Sequence, residues 1–346
     1  MDPLATAAID VAGAAYDLRL GPREWLPNLL EKGAPLFDRG LGCAAAIWAG
    51  CSADQQPMVA QLSVRAGEPD LGLMFARAAR DVGMRLPQTL AARDAGARTA
   101  SETNAESPSI LREFEKQVGC RDVLGVWALD PRLHGIGINI PSPDFISLSR
   151  GERRRWRSLC AHIAMGHRLR RSLGSAGVFG AKPVSELPFG GDALIDPRKF
   201  VFAEAKGEAK EQDVAQALRE AAIQVDHARG RLGKENPDEA LAVWRGVLQG
   251  RWSLVDWFDT DGRRFVVVIP NPPGIDDPRS LTEREREVVA LAACGNTSKW
   301  ISYQLGVSTQ RVSMLLASAK RKLGVRTQAQ LVLKMKPFVG SASARA

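Results

Sequence analysis

The order of hydrophobic and polar positions divides the chain into three parts with different element patterns. Two segments, 174–191 and 270–280, lack hydrophobic periodicity and are rich in Gly, Pro and Ser, as linkers are. We therefore predict one domain over 1–173, a second over 191–270 and a third over 281–336.

The first part mixes helical spacing with short runs of apolar residues that are typical of strands. We predict helices over 5–20, 22–37 and 71–84 and from Ser149 to Leu173, strands over 41–49, 58–64, 122–129 and 135–140, and a mobile loop over 90–109. Helices beside a few antiparallel strands indicate an α+β domain.

The second part begins and ends with strand patterns around a helical centre. We predict a hairpin that turns at Asp196-Pro197, a helix with an apolar face from Val214 to Val225, a second helix over 237–248, and strands over 251–258 and 263–269. The residues between the last two strands, 259–262, carry a hairpin turn signal. This part is also predicted to be α+β.

The third part is helical throughout and carries start and stop signals for four short helices. The start signals are the capping box Thr282-x-x-Glu285, Thr297 or Ser298, Ser308 and Thr327, and the stop signals are Gly295, Gly306 and Gly324. A helix, a short turn that contains Gly and a second helix form the helix-turn-helix arrangement. We therefore predict an all-α domain of this kind.

The third helix of this part, Ser308–Leu323, separates into two faces. Its apolar stripe, which must face the core, consists of Val312, Leu316, Ala319 and Leu323, with Leu315 beside them. Its opposite face consists of Gln310, Ser313, Met314, Ala317 and Arg321. The second helix of the motif presents such a face to the major groove of DNA. The cations around it, which suit phosphates, are Lys299, Arg311, Lys320, Arg321, Lys322 and Arg326.

Charge is distributed unevenly along the chain. The formal net charge of the 346 residues is +8, whereas residues 279–346 alone carry +9 and the first 278 residues carry −1. An excess of this kind at one end indicates a polyanionic partner for that end. Double-stranded DNA is therefore the expected partner of the third part.

Four separate segments carry a resemblance to a known family. The stretches Leu281–Glu285, Leu291–Ile301, Leu305–Ser308 and Lys322–Val325 resemble, in order and spacing, the DNA-binding domain of LuxR-type transcriptional regulators. The resemblance is confined to the third part. It implies DNA binding as a homodimer, with the third helix in the major groove and the fourth helix supporting dimer contacts.

The resemblance also implies roles for single residues. Thr297 and Lys299 match the family's phosphate-contacting positions, and Ser313, Met314 and Ala317 match its groove-facing positions. The full set of predicted DNA-binding residues is Thr297, Ser298, Lys299, Gln310, Arg311, Ser313, Met314, Ala317, Lys320 and Arg321.

The sequence departs from the family at four of its positions. Ser313 stands where many members have lysine, Leu315 where many have histidine and Trp300 where glutamate is common, while Ala317 offers no hydrogen bond. Base readout is therefore expected to depend on Gln310, Arg311 and Ser313, with Met314 available for a thymine methyl. Part of the specificity would then come from DNA shape.

LuxR-type proteins differ in their input domains, and the first 270 residues lack the motifs of several of them. No acidic pair follows a first strand as in a receiver, no acyl-homoserine-lactone cluster of Trp, Tyr and Asp can be placed, and Gly174–Lys182 lacks the spacing of an ATP-binding loop. By element order alone, the first part resembles a GAF-like sensor domain and the second a PAS-like domain.

Catalytic and metal-binding patterns are not evident in the sequence. The five cysteines are scattered without a C-x-x-C pair and are predicted to be free thiols, while His162 and His167 are predicted to lie in solvent or at the core edge. His134 is predicted in a hairpin turn. No Ser/His/Asp or paired-carboxylate arrangement is evident, so we expect no enzyme activity, no cofactor and no metal. The chain shows no signal peptide and no transmembrane run, and we expect a cytoplasmic protein without membrane contact.

These patterns predict a transcriptional regulator that binds duplex DNA specifically, under the control of N-terminal sensory or dimerisation domains. A homodimer would form through the Val214–Val225 helix or the helix that ends at Leu173. RNA polymerase is a candidate partner, and the sequence does not identify the small-molecule or protein signal. Two alternatives stay open: an enzyme with a DNA-binding appendage, and a scaffold that binds DNA constitutively without ligand.

Overall fold

The computed structural model describes residues 3–51, 57–65, 96–103, 119–129, 134–175, 187–244, 246–248, 251–271, 281–293, 295–323 and 325–332. The helix predicted over 71–84, most of the loop predicted over 90–109, most of both linkers and the stop signal at Gly324 lie outside these residues. Within them, two sheet-containing regions precede a helical region. This confirms the predicted multidomain arrangement of a sheet-rich N-terminal part and a helical C-terminal part.

The first part is built on a five-stranded antiparallel sheet with the order β2-β1-β5-β4-β3. Its strands are β1 (Cys43–Cys51), β2 (Pro57–Arg65), β3 (Gly96–Thr99), β4 (Asp122–Leu129) and β5 (His134–Ser142). The central register pairs Ile138 with Ala45 on one side and with Val126 on the other. These three residues share the face of the sheet that is covered by helices, because side chains alternate along each strand.

Strand β3 and the position of His134 differ from the sequence prediction. Gly96–Thr99 was expected to belong to a mobile loop, but it pairs with β4, Ala97 lying opposite Val126. Four residues without hydrophobic alternation give no strand signal, and the partner strand supplies their backbone hydrogen bonds. His134 lies in β5 opposite Ala49 rather than in a turn, because the β5 pairing extends further than its apolar run.

Helices cover one face of this sheet. They are α1 (Pro3–Ala15), α2 (Pro22–Lys32), α3 (Ala34–Phe37), α4 (Ala100–Thr103) and α5 (Arg150–Ser175). The single helix expected over 22–37 is interrupted at Gly33, which caps α2. The Trp25 indole of α2 donates to the Ala14 carbonyl at 2.9 Å, which ties α2 to α1 in the core.

Helices α1 and α5 approach each other most closely at Gly166. A Cβ atom at this position would overlap the carbonyl oxygen of Ala15. Glycine is therefore required here by a close backbone approach and not by a turn. The contact places the end of α1, and Tyr16 directly after it, against α5.

The second part repeats the sheet order of the first. Its sheet is antiparallel with the order β7-β6-β10-β9-β8, so the first strand of each sheet lies between the second and the fifth. The strands are β6 (Ala193–Asp196), β7 (Val201–Ala205), β8 (Val247–Leu248), β9 (Trp252–Phe258) and β10 (Arg264–Pro270). The helices are α6 (Gln212–Arg229), α7 (Arg231–Glu235) and α8 (Pro237–Val243).

The turns of this part follow their sequence signals, with one difference. The Asp259 carboxylate accepts hydrogen bonds from the backbone N–H groups of Asp261 and Arg263, at 3.0 and 2.7 Å, which shapes the predicted hairpin turn. The helix expected over 237–248 ends at Val243, and residues 247–248 pair with β9 instead. A two-residue strand carries no periodic signal of its own.

The central strand of the second sheet, β10, is buried on both faces. On one side, Val266 and Val268 pack against α6. On the other side, Val267 and Ile269 belong to the hydrophobic cluster of the first part. The two sheets therefore share one continuous core, and β10 shows an unbroken apolar run from residue 265 to 269 because both of its faces are covered.

The two helices expected to form a dimer bury their apolar faces within the chain. Leu218 and Ala222 of α6 are fully buried against the second sheet, and Leu159 and Ile163 of α5 are fully buried against the first. Dimerisation through the Val214–Val225 helix or the helix that ends at Leu173 stays a prediction. The burial of each face in its own sheet leaves only the polar sides of α5 and α6 for a second copy.

The C-terminal part consists of α9 (Glu283–Ala293), α10 (Ser298–Leu305), α11 (Thr309–Leu323) and helical residues at 328–332. It has its own hydrophobic cluster, which includes Val288, Ile301 and Val312, all fully buried. Helix α10 packs on α5 of the first part. No helix among the described residues is apolar over enough length to cross a membrane.

A buried imidazole lies where α10 meets the N-terminal parts. His162 of α5 is 2% exposed, so the prediction of a solvated or core-edge histidine is wrong. The Tyr16 hydroxyl lies 3.2 Å from its Nδ1 atom, and the Tyr303 hydroxyl of α10 hydrogen-bonds its Nε2 atom. The Tyr303 hydroxyl also donates to the Leu241 carbonyl of α8. This pattern fits a neutral ring with its proton on Nε2 and an acceptor at Nδ1.

An ion-pair cluster also joins α5 to the C-terminal part. Arg168 of α5 pairs with Glu287 of α9, and Arg284 of α9 pairs with the same carboxylate at 3.0 Å. The Glu287 side chain is 6% exposed, so two guanidinium groups compensate a nearly buried charge. We call His162, Tyr303, Leu241, Arg168 and Glu287 the interdomain joint.

We predict a pH-dependent loss of stability that originates at His162. Burial lowers the pKa of its imidazole to about 4 from an ordinary value of 6.5. Below pH 6.5 the His162 imidazole binds a proton in the unfolded chain but stays neutral in the folded chain. The contribution of His162 to the free energy of unfolding is therefore complete above that pH and declines as the pH falls toward 4. Between about pH 7.5 and about pH 5 the expected loss is about 2 kcal/mol.

Urea denaturation of the wild type and of His162→Gln at both pH values measures this loss. The variant, which lacks the titrating group, should show a pH dependence that is smaller by that amount. His227→Gln, at an exposed position of α6, is the matched control and should keep the wild-type dependence. Equal pH dependence in wild type and His162→Gln would contradict a neutral buried imidazole.

Candidate nucleic-acid interface

The first helix of the C-terminal part begins with the predicted capping box. The Thr282 N–H donates to the Glu285 carboxylate at 2.8 Å, and the Glu285 N–H donates to the Thr282 hydroxyl at 3.3 Å. These two bonds satisfy backbone donors that the start of α9 would otherwise leave unpaired.

The Glu285 carboxylate also fixes α11 to α9. The Ser318 hydroxyl of α11 donates to its second oxygen at 2.6 Å, and Glu285 is only 3% exposed. The capping-box pattern predicts the local half of this arrangement. The bond to Ser318 spans 33 positions, and nothing in the local pattern indicates it.

The turn between α10 and α11 is set by two caps and one glycine. The Thr297 hydroxyl accepts the Trp300 N–H at 3.3 Å and starts α10. Gly306 ends the helix at φ 65° and ψ 30°, a left-handed conformation that glycine adopts without strain. The Ser308 hydroxyl then accepts the Arg311 N–H at 3.1 Å at the start of α11. The predicted start and stop residues are thus confirmed at this turn.

Helix α11 has the two faces that the spacing predicts. Val312 and Ala319 are fully buried and Leu323 is 3% exposed, while Leu315 and Leu316 are half-buried against the same cluster. The opposite face is exposed along its length and consists of Gln310, Ser313, Met314, Ala317 and Arg321. The exposed fraction of Met314 is 55%, which is unusual for a large apolar side chain that serves no contact.

The predicted phosphate-binding residues differ in exposure. Thr297, Lys299 and Arg311 are exposed, whereas Ser298 and Lys320 are half-buried. The exposed residues of α10 lie at its N-terminus, where unpaired backbone N–H groups and the helix dipole favour an anion. The structure therefore provides one exposed polar helix face and, at the start of the preceding helix, a cationic edge.

Two hydroxyl groups of this surface are partly used inside the fold. The Ser313 hydroxyl donates to the Thr309 carbonyl one turn earlier at 3.0 Å, which leaves its oxygen lone pairs as acceptors. The Thr297 hydroxyl accepts from Trp300, which leaves its proton to be donated. Ser313 therefore suits a base that offers a donor, and Thr297 suits a phosphate oxygen.

The departure at Trp300 has a structural explanation. The side chain is 3% exposed and belongs to the hydrophobic cluster of this part, beside Ile301 and Leu305. A glutamate there would lie in a solvent-depleted position, so the indole adds core area instead of surface charge. Trp300 is thus a packing residue and contributes no group to the exposed face.

A second capping box fixes the last helical residues. The Gln330 side chain accepts from the N–H groups of Arg326 and Thr327, at 2.8 and 3.2 Å, and the Thr327 hydroxyl accepts from Gln330. The Gln328 amide donates to the Ala292 carbonyl of α9 at 3.0 Å, and Leu331 is fully buried. The predicted fourth helix therefore packs back on α9. The sequence prediction identified its start at Thr327 but not the role of Gln330.

Outside this surface, three cysteines of the described residues are buried. No group of three or more His, Cys, Asp or Glu side chains among them is placed to hold a metal ion. Cys43, Cys120 and Cys160 are buried thiols outside any disulfide, as the scattered spacing predicted, and burial raises the pKa of the Cys43 and Cys160 thiols to about 12. Thiols with a pKa in this range are inert at neutral pH.

Comparison with known proteins identifies the class of the C-terminal part. Residues 279–335 match the family described as bacterial regulatory proteins, luxR family, so this part is a luxR-type helix-turn-helix domain, as the four resembling segments predicted. One relative is the transcriptional regulatory protein UhpA of Escherichia coli (strain K12), which is 34% identical over 109 residues. That match covers 31% of this chain and 50% of UhpA, so the chain spans about half the length of this relative.

We predict that Glu285 stabilises the domain through both of its contacts. Glu285→Ala should lower the free energy of unfolding by about 2 kcal/mol, because it removes a cap and leaves the Ser318 hydroxyl unpaired. Ser318→Ala removes only the bond between helices and should cost about 1 kcal/mol. Urea denaturation followed by circular dichroism measures both values. Wild-type stability in Glu285→Ala would show that the carboxylate is dispensable.

Proposed function

We propose that this chain is a transcriptional regulator that binds specific duplex DNA through α11. The observation that carries the proposal is the exposed face of α11, on which Gln310, Ser313 and Arg321 lie opposite the apolar stripe that packs on the core. The second helix of a helix-turn-helix motif presents such a face to the major groove. The luxR-family match over residues 279–335 and the net charge of +9 after residue 278 support the same partner.

The proposed DNA-binding surface contains residues that position the protein on the DNA backbone and residues that recognise the base sequence. Thr297, Ser298 and Lys299 at the start of α10 and Lys320 and Arg321 near the end of α11 contact phosphates and fix the register. Gln310, Arg311 and Ser313 contact base edges, with Met314 and Ala317 making apolar contacts. Few of these side chains offer two hydrogen bonds to one base, so DNA shape supplies part of the specificity.

The N-terminal parts supply control in this proposal. The two sheets share one strand order, which supports sensor-like domains of one general class, the first GAF-like and the second PAS-like in this proposal. A homodimer places two α11 helices on half-sites about one helical turn apart. A signal acts through different affinities for DNA-competent and incompetent arrangements. The protein acts in the cytoplasm, RNA polymerase is a candidate partner, and the proposal assigns the chain no reaction.

Selection of duplexes from a random pool by the full chain, at a low and a high salt concentration, tests this proposal. An enriched palindrome with half-sites about 10 bp apart is the expected outcome. Salt-sensitive binding without an enriched sequence would favour a scaffold that binds DNA without sequence preference and would contradict a sequence-specific regulator. Absence of binding at both salt concentrations would refute DNA recognition altogether.

We predict that the phosphate residues affect all DNA sequences alike. Lys299→Ala and Lys320→Ala should each weaken binding to selected and random duplexes by a similar factor and reduce the salt slope by about one. Fluorescence anisotropy over a salt series measures the slope. Lys199→Ala, an exposed lysine in the β6–β7 turn, is the matched control for loss of charge. An unchanged salt slope in both test variants would show that Lys299 and Lys320 do not contact phosphates.

We predict that Ser313 and Met314 determine which sequence is bound. Ser313→Ala and Met314→Ala should change the preference between related duplexes by about tenfold and should leave the affinity for random DNA nearly unchanged. Competition binding with single-base variants of the selected duplex measures this preference. Equal losses on every sequence would show that these side chains do not contact bases.

A further inference from the structure

The interdomain joint connects the helix-turn-helix unit to both preceding parts through buried groups. Tyr303 reaches His162 of α5 and the Leu241 carbonyl of α8 with one hydroxyl. Trp244, directly after α8, lies 5.3 Å from the imidazole between ring centroids and closes the site. All the polar groups of this cluster depend on one another, because a neutral imidazole must donate at one nitrogen and accept at the other.

The joint leaves the DNA-facing residues uncovered. Gln310, Ser313, Met314 and Arg321 of α11 are exposed, as is Lys299 of α10, while Tyr303 and Glu287 contact α5. The helix-turn-helix unit therefore uses one side for the joint and another for its candidate DNA surface. The closed joint presents α11 and does not block it.

We propose that Tyr303, His162 and the Arg168–Glu287 pair are positioning residues for DNA binding. They hold the helix-turn-helix unit in one orientation on α5 and α8, and displacement of either helix transmits a signal by opening the joint. This inference rests on the proposed function. Beyond that function, the closed joint is the DNA-competent state. Helices α5 and α8 are the elements that couple the N-terminal parts to DNA binding.

The geometry makes the joint sensitive to small displacements. Hydrogen bonds weaken steeply beyond their normal range, so a shift of about 1 Å between α8 and α5 separates the Tyr303 hydroxyl from its partner on one of these two helices. A buried N–H or carbonyl that loses its partner favours an open arrangement, in which water pairs it. A closed joint also orients the helix-turn-helix unit before it meets DNA. A loosely tethered unit would lose more orientational entropy when two copies bind two half-sites.

The test uses the full chain with one oxygen atom removed, that of the Tyr303 hydroxyl. Tyr303→Phe keeps the ring but removes the hydroxyl group that hydrogen-bonds both His162 Nε2 and the Leu241 carbonyl. Hydrogen exchange in residues 237–243 and 298–305 should become about tenfold faster, because the joint opens more often. Affinity for the selected duplex should fall about tenfold, while affinity for a random duplex of equal length should change less than about twofold. Ser302→Ala, whose hydroxyl donates to the Lys299 carbonyl within α10, is the control.

A second variant keeps the test independent of the packing around Tyr303. Arg168→Ala removes the α5 side of the ion pair and leaves Glu287 with Arg284. It should shift exchange and affinity in the same directions by a smaller factor. Arg154→Ala, at an exposed position of the same helix, is its control and should match the wild type.

The outcomes separate the joint from the proposed function. Faster exchange with weaker binding of the selected duplex alone supports the proposal. Faster exchange with unchanged affinity for the selected duplex would show that the joint has a purely structural role. Faster exchange with tighter binding of the duplex would show that the closed joint inhibits DNA binding. Either result would overturn the proposal. Unchanged exchange in both variants would show that these residues do not hold the joint. A wild type that binds no duplex would refute the proposed function itself, whatever the exchange data show.

Discussion

The close approach of α1 and α5 at Gly166 is the constraint on which the relative placement of the three parts depends. Because Gly166 has no side chain, the end of α1 lies against α5, and the Tyr16 hydroxyl comes within 3.2 Å of His162. Tyr16 thereby lies at the Nδ1 atom of the ring, and Tyr303 of α10 lies at Nε2. A larger residue at 166 would separate the helices and weaken the series of contacts that ends at the DNA-binding unit.

The sequence predicted most completely those features that depend on near neighbours. Capping residues such as Thr282, Thr297 and Ser308, and the glycine at 306, set the helix boundaries of the C-terminal part, because their hydrogen bonds reach only three or four positions along the chain. The two faces of α11 followed from spacing alone. Most strands of both sheets were found for the same reason, since alternating or continuous apolar runs mark them.

Features that depend on distant partners were not predictable. Strand β3 and residues 247–248 take their conformation from neighbouring strands, and the bond between Ser318 and Glu285 joins two helices. The burial of His162 follows from three elements that converge on α5, none of which is adjacent to it in sequence. The charge excess indicated where DNA would bind, yet the orientation of the DNA-binding unit depends on contacts between side chains that no local pattern records.

The continuous core that unites the two sheets limits how this chain can be recombined. Val267 and Ile269 belong to the cluster of the first sheet, so a regulator assembled by exchanging only one of the two sheets would expose apolar surface on both fragments. The natural unit of exchange is therefore the pair of sheets together, with the helix-turn-helix unit as the other module. New combinations of input and output in such chains would arise by joining at the segment after Asn271, provided that the incoming DNA-binding unit carries a tyrosine able to reach the same imidazole.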